Sequence, residues 1–528
     1  MKNKRFISIV ALILVVLALA GCTSTSQSPV VTMEPTAAAS MPTTTPLVSP
    51  SVSPSVSSDT SSSADGIPKY VFLFIGDGMS FAQINAAQYY AGSDKSGNIS
   101  ISRINFTQFP VSGIVNTYNL TSVIPDSASA GTAMATGVRT KSGMLGQTAD
   151  GQSVPSIAEI LHASGKKIGI ITSVTLNNAT PAAFYAHAET RTDYADVTEQ
   201  MADSGFEFFG GGGIYTKSED DNILKDYSVF EDQGYTVADT KSEIESLGSN
   251  SGKVYAVSPN LAKLGALPFA IDAEEGDMTL ADFVSKGIDV LDNNKGFFMM
   301  CEGGKIDWSC HANDAATTVE EVLAFAHAVQ EAIDFADKHP NDTLILVTAD
   351  HETGGMSVGY SAMDYSTNLD LLGRQKVSYS LFKALLADMI DKKPDLSLSD
   401  VMPVIGQYFG LYSKSNANKA ESSDFVLSDY EYDLVKDAFA ESKKESGSHI
   451  SGDQMELLYG GYDPLTITLT HILDNKAGIG WTTYAHTGLP VPIYASGAEA
   501  GLFSGSYDDT EIFSRLVKAV GLEDQIAQ

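Results

Sequence analysis

Asp307 and His311 stand four residues apart in the stretch EGGKIDWSCH. On one helical turn that spacing points both side chains to the same side, where they could share a metal ion. Asp350 and His351 are neighbours in TADHETGG, and His486 lies in YAHTGLP. Three imidazoles among several carboxylates suit zinc better than calcium or magnesium. Asp77 in IGDGM, Glu302 in CEGG and Thr180 in NNATPAA offer only oxygen, which suits magnesium. Each of these residues also has an ordinary explanation when taken alone. An acid at a strand end caps a loop, and a lone histidine sits on a surface; His162, His187, His327, His339, His449 and His471 take that ordinary reading.

Residues 125–137 read PDSASAGTAMATG. A hydroxyl, Ser127, opens a run of small residues that offers almost nothing to bury. One explanation is a tightly packed Ala/Gly helix with Asp126 as its N-cap. The other is a helix whose N-terminal N–H groups and dipole face an anion.

Several elements must bring these residues together. KYVFLFIGDG, KKIGIITS (166–173), KGFFMMCEGG (295–304), DTLILVTADHETGG (342–355) and VPIYASG (491–497) are short apolar runs, most of them ended by glycine. They read as buried strands. Helical stretches lie between them, at Ser127–Thr136, Pro155–Ala163, Leu280–Asp292 and Asp314–Lys338. In the last, Val319, Val322, Ala326, Val329 and Ile333 recur at helical spacing. The alternation predicts an α/β fold, a mostly parallel central sheet with helices on both faces. Sites in such folds gather at the carboxyl ends of strands, where Asp77, Glu302 and Asp350 fall. Residues 360–470 break the rhythm and read as an insertion capping the sheet near the site, with helices such as Ser380–Met389 and Ser428–Ser442.

The whole chain sets outer bounds. It has 528 residues, 43% of them hydrophobic, and a net charge of −32. That is core enough for a large domain. The acidity argues against nucleic acid or anionic lipid as partners, and an anionic substrate would need a locally positive site. Lys2, Lys4 and Arg5 precede an apolar run from Phe6 to Ala20 that ends in LAGC at Cys22. This is a secretory signal, and the terminal Cys makes it resemble that of a bacterial lipoprotein. The resemblance implies a signal peptide over residues 1–21 and a lipidated Cys22. The chain would be exported and anchored by lipid to the outer face of a bacterial membrane. Residues 22–66 are rich in Ser, Thr and Pro, with no Lys, Arg or aromatic residue, and read as an extended tether. The body is 67–528. Its two cysteines, Cys301 and Cys310, are expected to stay unpaired.

IPDSASAGT (124–132) resembles the nucleophile signature of the alkaline phosphatase family. IGDGM before it, and NNATPAAFYAHAETR, EGGKIDWSCH, TADHETGG and AHTGLPVPIYASG after it, stand in the family's order. The resemblance spans most of Pro68–Val520 and thins across 205–275 and 360–470. Carried over position by position, it implies that Ser127 attacks phosphorus and is transiently phosphorylated. Asp307, His311 and His486 would hold one Zn2+, and Asp77, Asp350 and His351 a second. Asp77, Thr180 and Glu302 would hold Mg2+, and Arg191 would grip two phosphate oxygens. Members of that family often pair, so the resemblance admits a homodimer. The physics is consistent with these roles. A divalent cation beside a serine lowers the hydroxyl pKa, and a second, about 3.5–4 Å away, takes up charge on the leaving oxygen. Three such ions bring about +6 against about −4 from four carboxylates, a locally positive site in an acidic chain.

Two positions depart from relatives that carry Lys and Asp there: Trp308, after Asp307, and Asn178 in NNATP. Neutral side chains at both predict weaker magnesium retention and faster phosphate release. The expected activity is hydrolysis of small-molecule phosphate monoesters for phosphate scavenging. The alternatives are phosphodiester hydrolysis within the same superfamily, or a lipoprotein that only captures phosphate or metal.

Overall fold

The computed structural model describes residues 66–93, 100–217, 223–444 and 450–523, all within one compact unit, Thr60–Gln528. The signal stretch, Cys22 and nearly all of the tether lie outside the described residues. The body is built on a ten-stranded sheet. Its strands in chain order are β1 Tyr70–Ile75, β2 Val111–Asn116, β3 Lys167–Thr172, β4 Phe208–Gly211 and β5 Tyr235–Ala238, then β6 Lys253–Val257, β7 Phe297–Glu302, β8 Thr343–Thr348, β9 Val491–Gly497 and β10 Gly505–Asp508. Their spatial order is β10-β2-β9-β8-β1-β7-β3-β4-β6-β5. Only β9 runs against its neighbours, β2 and β8; the other pairings are parallel.

The central strands are continuous apolar runs because both faces are covered. Every residue of β1 (YVFLFI), β7 (FFMMCE) and β8 (TLILVT) is buried. The helices form close to where the periodicity puts them. Ser156 caps Ile157–Ala163 through a reciprocal box with Glu159, so the proline ahead of it stays outside. Asp314 caps Ala315–Ala336 by accepting from Thr317 N; a cap of that kind stabilises a helix by about 1 kcal/mol. Five strands escape the sequence reading. β2 alternates exposed residues with half-buried or buried ones, and β4, β5, β6 and β10 are only four or five residues long.

Within 360–470 the chain forms helices Tyr379–Lys392, Leu398–Phe409, Asp429–Ser442 and Gly452–Tyr459, and enters Pro464–Ala477. The segment is tied to the N-terminus of the Ala315–Ala336 helix, where Gln375 Nε2 and Tyr379 N both donate to the cap Asp314. Cys301 and Cys310 are free and fully buried.

Candidate active site

The acids at the strand ends meet because β8, β1, β7 and β3 are neighbours in register. Ile75, the last residue of β1, pairs with Glu302 and with Thr348. Asp77 and Asp350 each follow their strand by two residues, and Glu302 closes β7. Thr172 ends β3 opposite Glu302, and its hydroxyl donates to Glu302 Oε2. Two glycines after β7, the chain enters the helix Lys305–His311, which carries Asp307 and His311 on one turn. A two-residue antiparallel ladder pairs His486 with Thr353 and Thr487 with Glu352. That ladder delivers His486 onto His351, with ring centroids 3.6 Å apart.

Hydrogen-bond accounting shows what these side chains lack. His311 Nδ1 lies 2.6 Å from the Tyr484 carbonyl, and His486 Nδ1 lies 2.8 Å from the Pro125 carbonyl. A carbonyl only accepts, so both Nδ1 atoms carry protons. In neutral rings the two Nε2 atoms then hold lone pairs, and they face each other at 3.1 Å. Such a contact repels unless a cation is shared between them. Asp307 flanks it, with Oδ2 3.3 Å from His311 Nε2 and Oδ1 3.7 Å from His486 Nε2. Deeper in, His351 Nε2 lies 3.2 Å from Asp350 Oδ2 and 3.4 Å from Asp77 Oδ1. Thr180 Oγ1 is 3.5 Å from Asp77 Oδ2.

The buried oxygens Asp77 Oδ1, Glu302 Oε1 and Asp350 Oδ2 have no hydrogen-bond partner. A buried charged group with one oxygen left unpartnered costs about 1–3 kcal/mol or more. Accordingly, burial and the crowding of Asp350, Asp307 and Glu302 hold the Asp77 carboxyl well above the usual range. Burial with Asp307 and Glu302 pushes Asp350 up to about 8, and burial pushes Glu302 up to about 7. Burial, with His486 and His311 close by, holds His351 well below the usual imidazole value. Divalent cations would reverse these shifts, so the donor set fits them. Ligand atoms of Asp307, His311 and His486 lie within 4.8 Å of one another, as do those of Asp77, Asp307 and His351. Asp307 therefore reaches both groups, while the sequence reading placed it in one.

Ser127 begins the helix Ser127–Thr136, all ten residues of which are buried. Its Oγ lies 3.2 Å from His351 Nε2, so the hydroxyl meets the carboxylate–histidine cluster directly. The small residues allow a close approach: a Cβ on Gly131 would stand 3.1 Å from Ala183 Cβ and 3.5 Å from Thr180 Cα. Asp126 caps the helix by accepting from Ser129 N, and its Oδ2 also lies 3.6 Å from Arg191 Nη1. Arg191 Nη2 donates to Asn178 Oδ1 at 2.8 Å. The packed-helix explanation of the small-residue run is thus seen directly: Asp126 is the helix cap, and it also lies beside the Arg191 guanidinium.

All ten sequence-predicted residues of the body fall in this region. Four residues that position them were not singled out from sequence: Thr172, Thr353, and the carbonyl-bearing Tyr484 and Pro125. Thr172 had a faint signal, a polar residue closing an apolar strand. The carbonyl partners have none, because a main-chain acceptor exists at every position.

Most of the chain is similar to known proteins. The family model described as alkaline phosphatase matches residues 68–522. Alkaline phosphatase 4 of Bacillus subtilis (strain 168) is 30% identical over 459 residues, covering 84% of this chain and 86% of its own length. Among solved structures, the cold-active alkaline phosphatase of a psychrophilic Shewanella sp. is 27% identical with a TM-score of 0.70, covering 85% of this chain and 99% of that one. The alkaline phosphatase of Thermus thermophilus is also 27% identical, with a TM-score of 0.69, covering 87% and 93%. The chain belongs to the alkaline phosphatase family, whose enzymes hydrolyse phosphate monoesters.

Proposed function

We propose that the chain hydrolyses phosphate monoesters through a phosphoserine at Ser127. The observation that carries this reading is the 3.2 Å approach of Ser127 Oγ to His351 Nε2, inside a cluster whose buried oxygens lack partners. Asp307, His311 and His486 would hold one zinc ion, Asp77, Asp350 and His351 another, and Asp77, Thr180 and Glu302 magnesium. Bound there, divalent cations supply Lewis acidity, lowering the pKa of a neighbouring hydroxyl and offsetting charge on the departing oxygen. Arg191 receives two phosphate oxygens in its planar fork. Asp126 and Asn178 hold it in place. Ser127 Oγ then forms a bond to phosphorus as the bond to the alcohol oxygen breaks. Water next breaks the Ser127–phosphate bond, releasing inorganic phosphate and restoring the hydroxyl. The result is one alcohol and one phosphate per water consumed. A diester would need its second ester group where Arg191 takes up the phosphate oxygens, so the monoester is the better fit.

The signal stretch and tether support a setting outside the cytoplasm, with Cys22 as a lipid anchor and phosphate scavenging as the role. The test is acid quenching with a 32P-labelled monoester. Label should remain on the protein and vanish in Ser127→Ala. Turnover of a chromogenic monoester should exceed that of the matching diester, and chelation should abolish it. An active protein that retains no label on Ser127, or one that prefers the diester, sinks the proposal.

A further inference from the structure

Thr353 is fully buried and stands between the two ligand groups. Its Oγ1 donates to Asp307 Oδ1 at 2.6 Å and lies 3.3 Å from His351 Nδ1. A hydroxyl has one proton and a carboxylate only accepts, so the proton lies toward Asp307. Toward His351 the same oxygen is therefore an acceptor, and Nδ1 must carry the ring proton. That leaves the Nε2 lone pair directed at Ser127 Oγ, 3.2 Å away.

We infer that Thr353 is a positioning residue that fixes the His351 tautomer and, through the same hydroxyl, the orientation of Asp307. This rests on the proposed cation site. His311 and His486 receive the matching tautomer from main-chain carbonyls; His351 depends on a side chain. The dependence matters because Asp350 Oδ2 and Asp77 Oδ1, at 3.2 and 3.4 Å from Nε2, would as carboxylates pull the proton the other way. Protonated Nε2 could not ligate a metal. The Thr353 hydroxyl opposes that pull.

The backbone is shaped around this hydroxyl. Gly78 has a φ of +71°, and a Cβ there would lie 2.8 Å from Thr353 Oγ1. Thr353 N donates to the Gly78 carbonyl at 3.2 Å. Glycine at 78 serves both the left-handed backbone and the space for the threonine.

The test compares wild type, Thr353→Val and Thr353→Ser as full chains. Zinc affinity is measured by competition with a chelator, and the His351 tautomer by 15N NMR of histidine-labelled, metal-stripped protein at an alkaline pH where Asp350 is ionised. Wild type and Thr353→Ser should show an unprotonated Nε2. Thr353→Val should protonate it and lose about tenfold to a hundredfold in zinc affinity, the usual effect of removing a partner of a metal ligand. Thr353→Ala replaces the valine variant if that does not fold. A valine or alanine variant binding zinc within about twofold of wild type, or a wild type protonated at Nε2, overturns the inference. A wild type that binds no zinc overturns the site reading beneath it.

Discussion

The floor and the rim of the site use the same residue types and differ in exposure. On the floor, Glu302, Asp350 and His351 are completely buried. At the rim, the side chains of His311 and His486 are 27% and 14% exposed, and that of Arg191 is 29% exposed. Floor acids have no water to fall back on, so without cations they can only take up protons. Rim groups keep solvent as a partner. A metal at the floor is therefore part of the fold's energetics, whereas one at the rim is closer to an exchangeable ligand.

Ligand removal at the two levels is the strongest test. Asp350→Asn should lower turnover by at least roughly a thousandfold, on the scale of losing a residue that acts as part of a unit, and should lower the melting temperature of the zinc-loaded protein. His486→Gln should lower turnover too, yet leave that melting temperature nearly unchanged. Equal melting losses would break the distinction. Timed dialysis against a chelator should release metal in two phases, the first abolished in His486→Gln.

The pH dependence of stability comes next. Without metal, Asp350 and Glu302 sit at about 8 and about 7 in the folded chain, raised from the ordinary carboxylate range. Raised acids bind protons better folded than unfolded. Their stabilising contribution is complete at about pH 4 and is lost as the pH climbs through about 8. The melting temperature of metal-stripped protein should therefore fall behind that of loaded protein steadily across this window. A gap constant from pH 4 to 8 would show the floor acids to be unperturbed.

Changes at the rim should be milder. Arg191→Lys keeps the charge and loses the fork, so KM should rise about tenfold for a monoester. Asn178→Asp should have the smallest effect. It gives Arg191 a charged partner in place of the amide oxygen that now accepts from it at 2.8 Å. Tighter magnesium retention and slower phosphate release, each by a few-fold, are expected. An unchanged magnesium dependence of activity would remove Asn178 from the account.

What was legible in the sequence follows from the same division. Floor acids announce themselves because a carboxylate at the end of an apolar strand is conspicuous; Asp77, Glu302 and Asp350 all stand out this way. His486 gives no such signal alone, since only the ladder to Thr353 and Glu352 brings it in. The family motifs placed it where periodicity could not. The short strands β4, β5 and β6 were missed because four or five residues with glycine and polar positions carry no clear period. The Thr353 contact was invisible because it needs Asp307 and His351, 46 and two residues away, to meet at one oxygen.

Cys301 lies on β7 and Cys310 on the helix that carries Asp307 and His311, both at zero exposure. Burial raises both thiols well above their usual value, so neither presents a thiolate to reagents. They can act as a built-in clock: each can be alkylated only when its own layer opens. Mass spectrometry of the two labelled peptides over time would then report how often the sheet and the helix breathe, and whether they do so together.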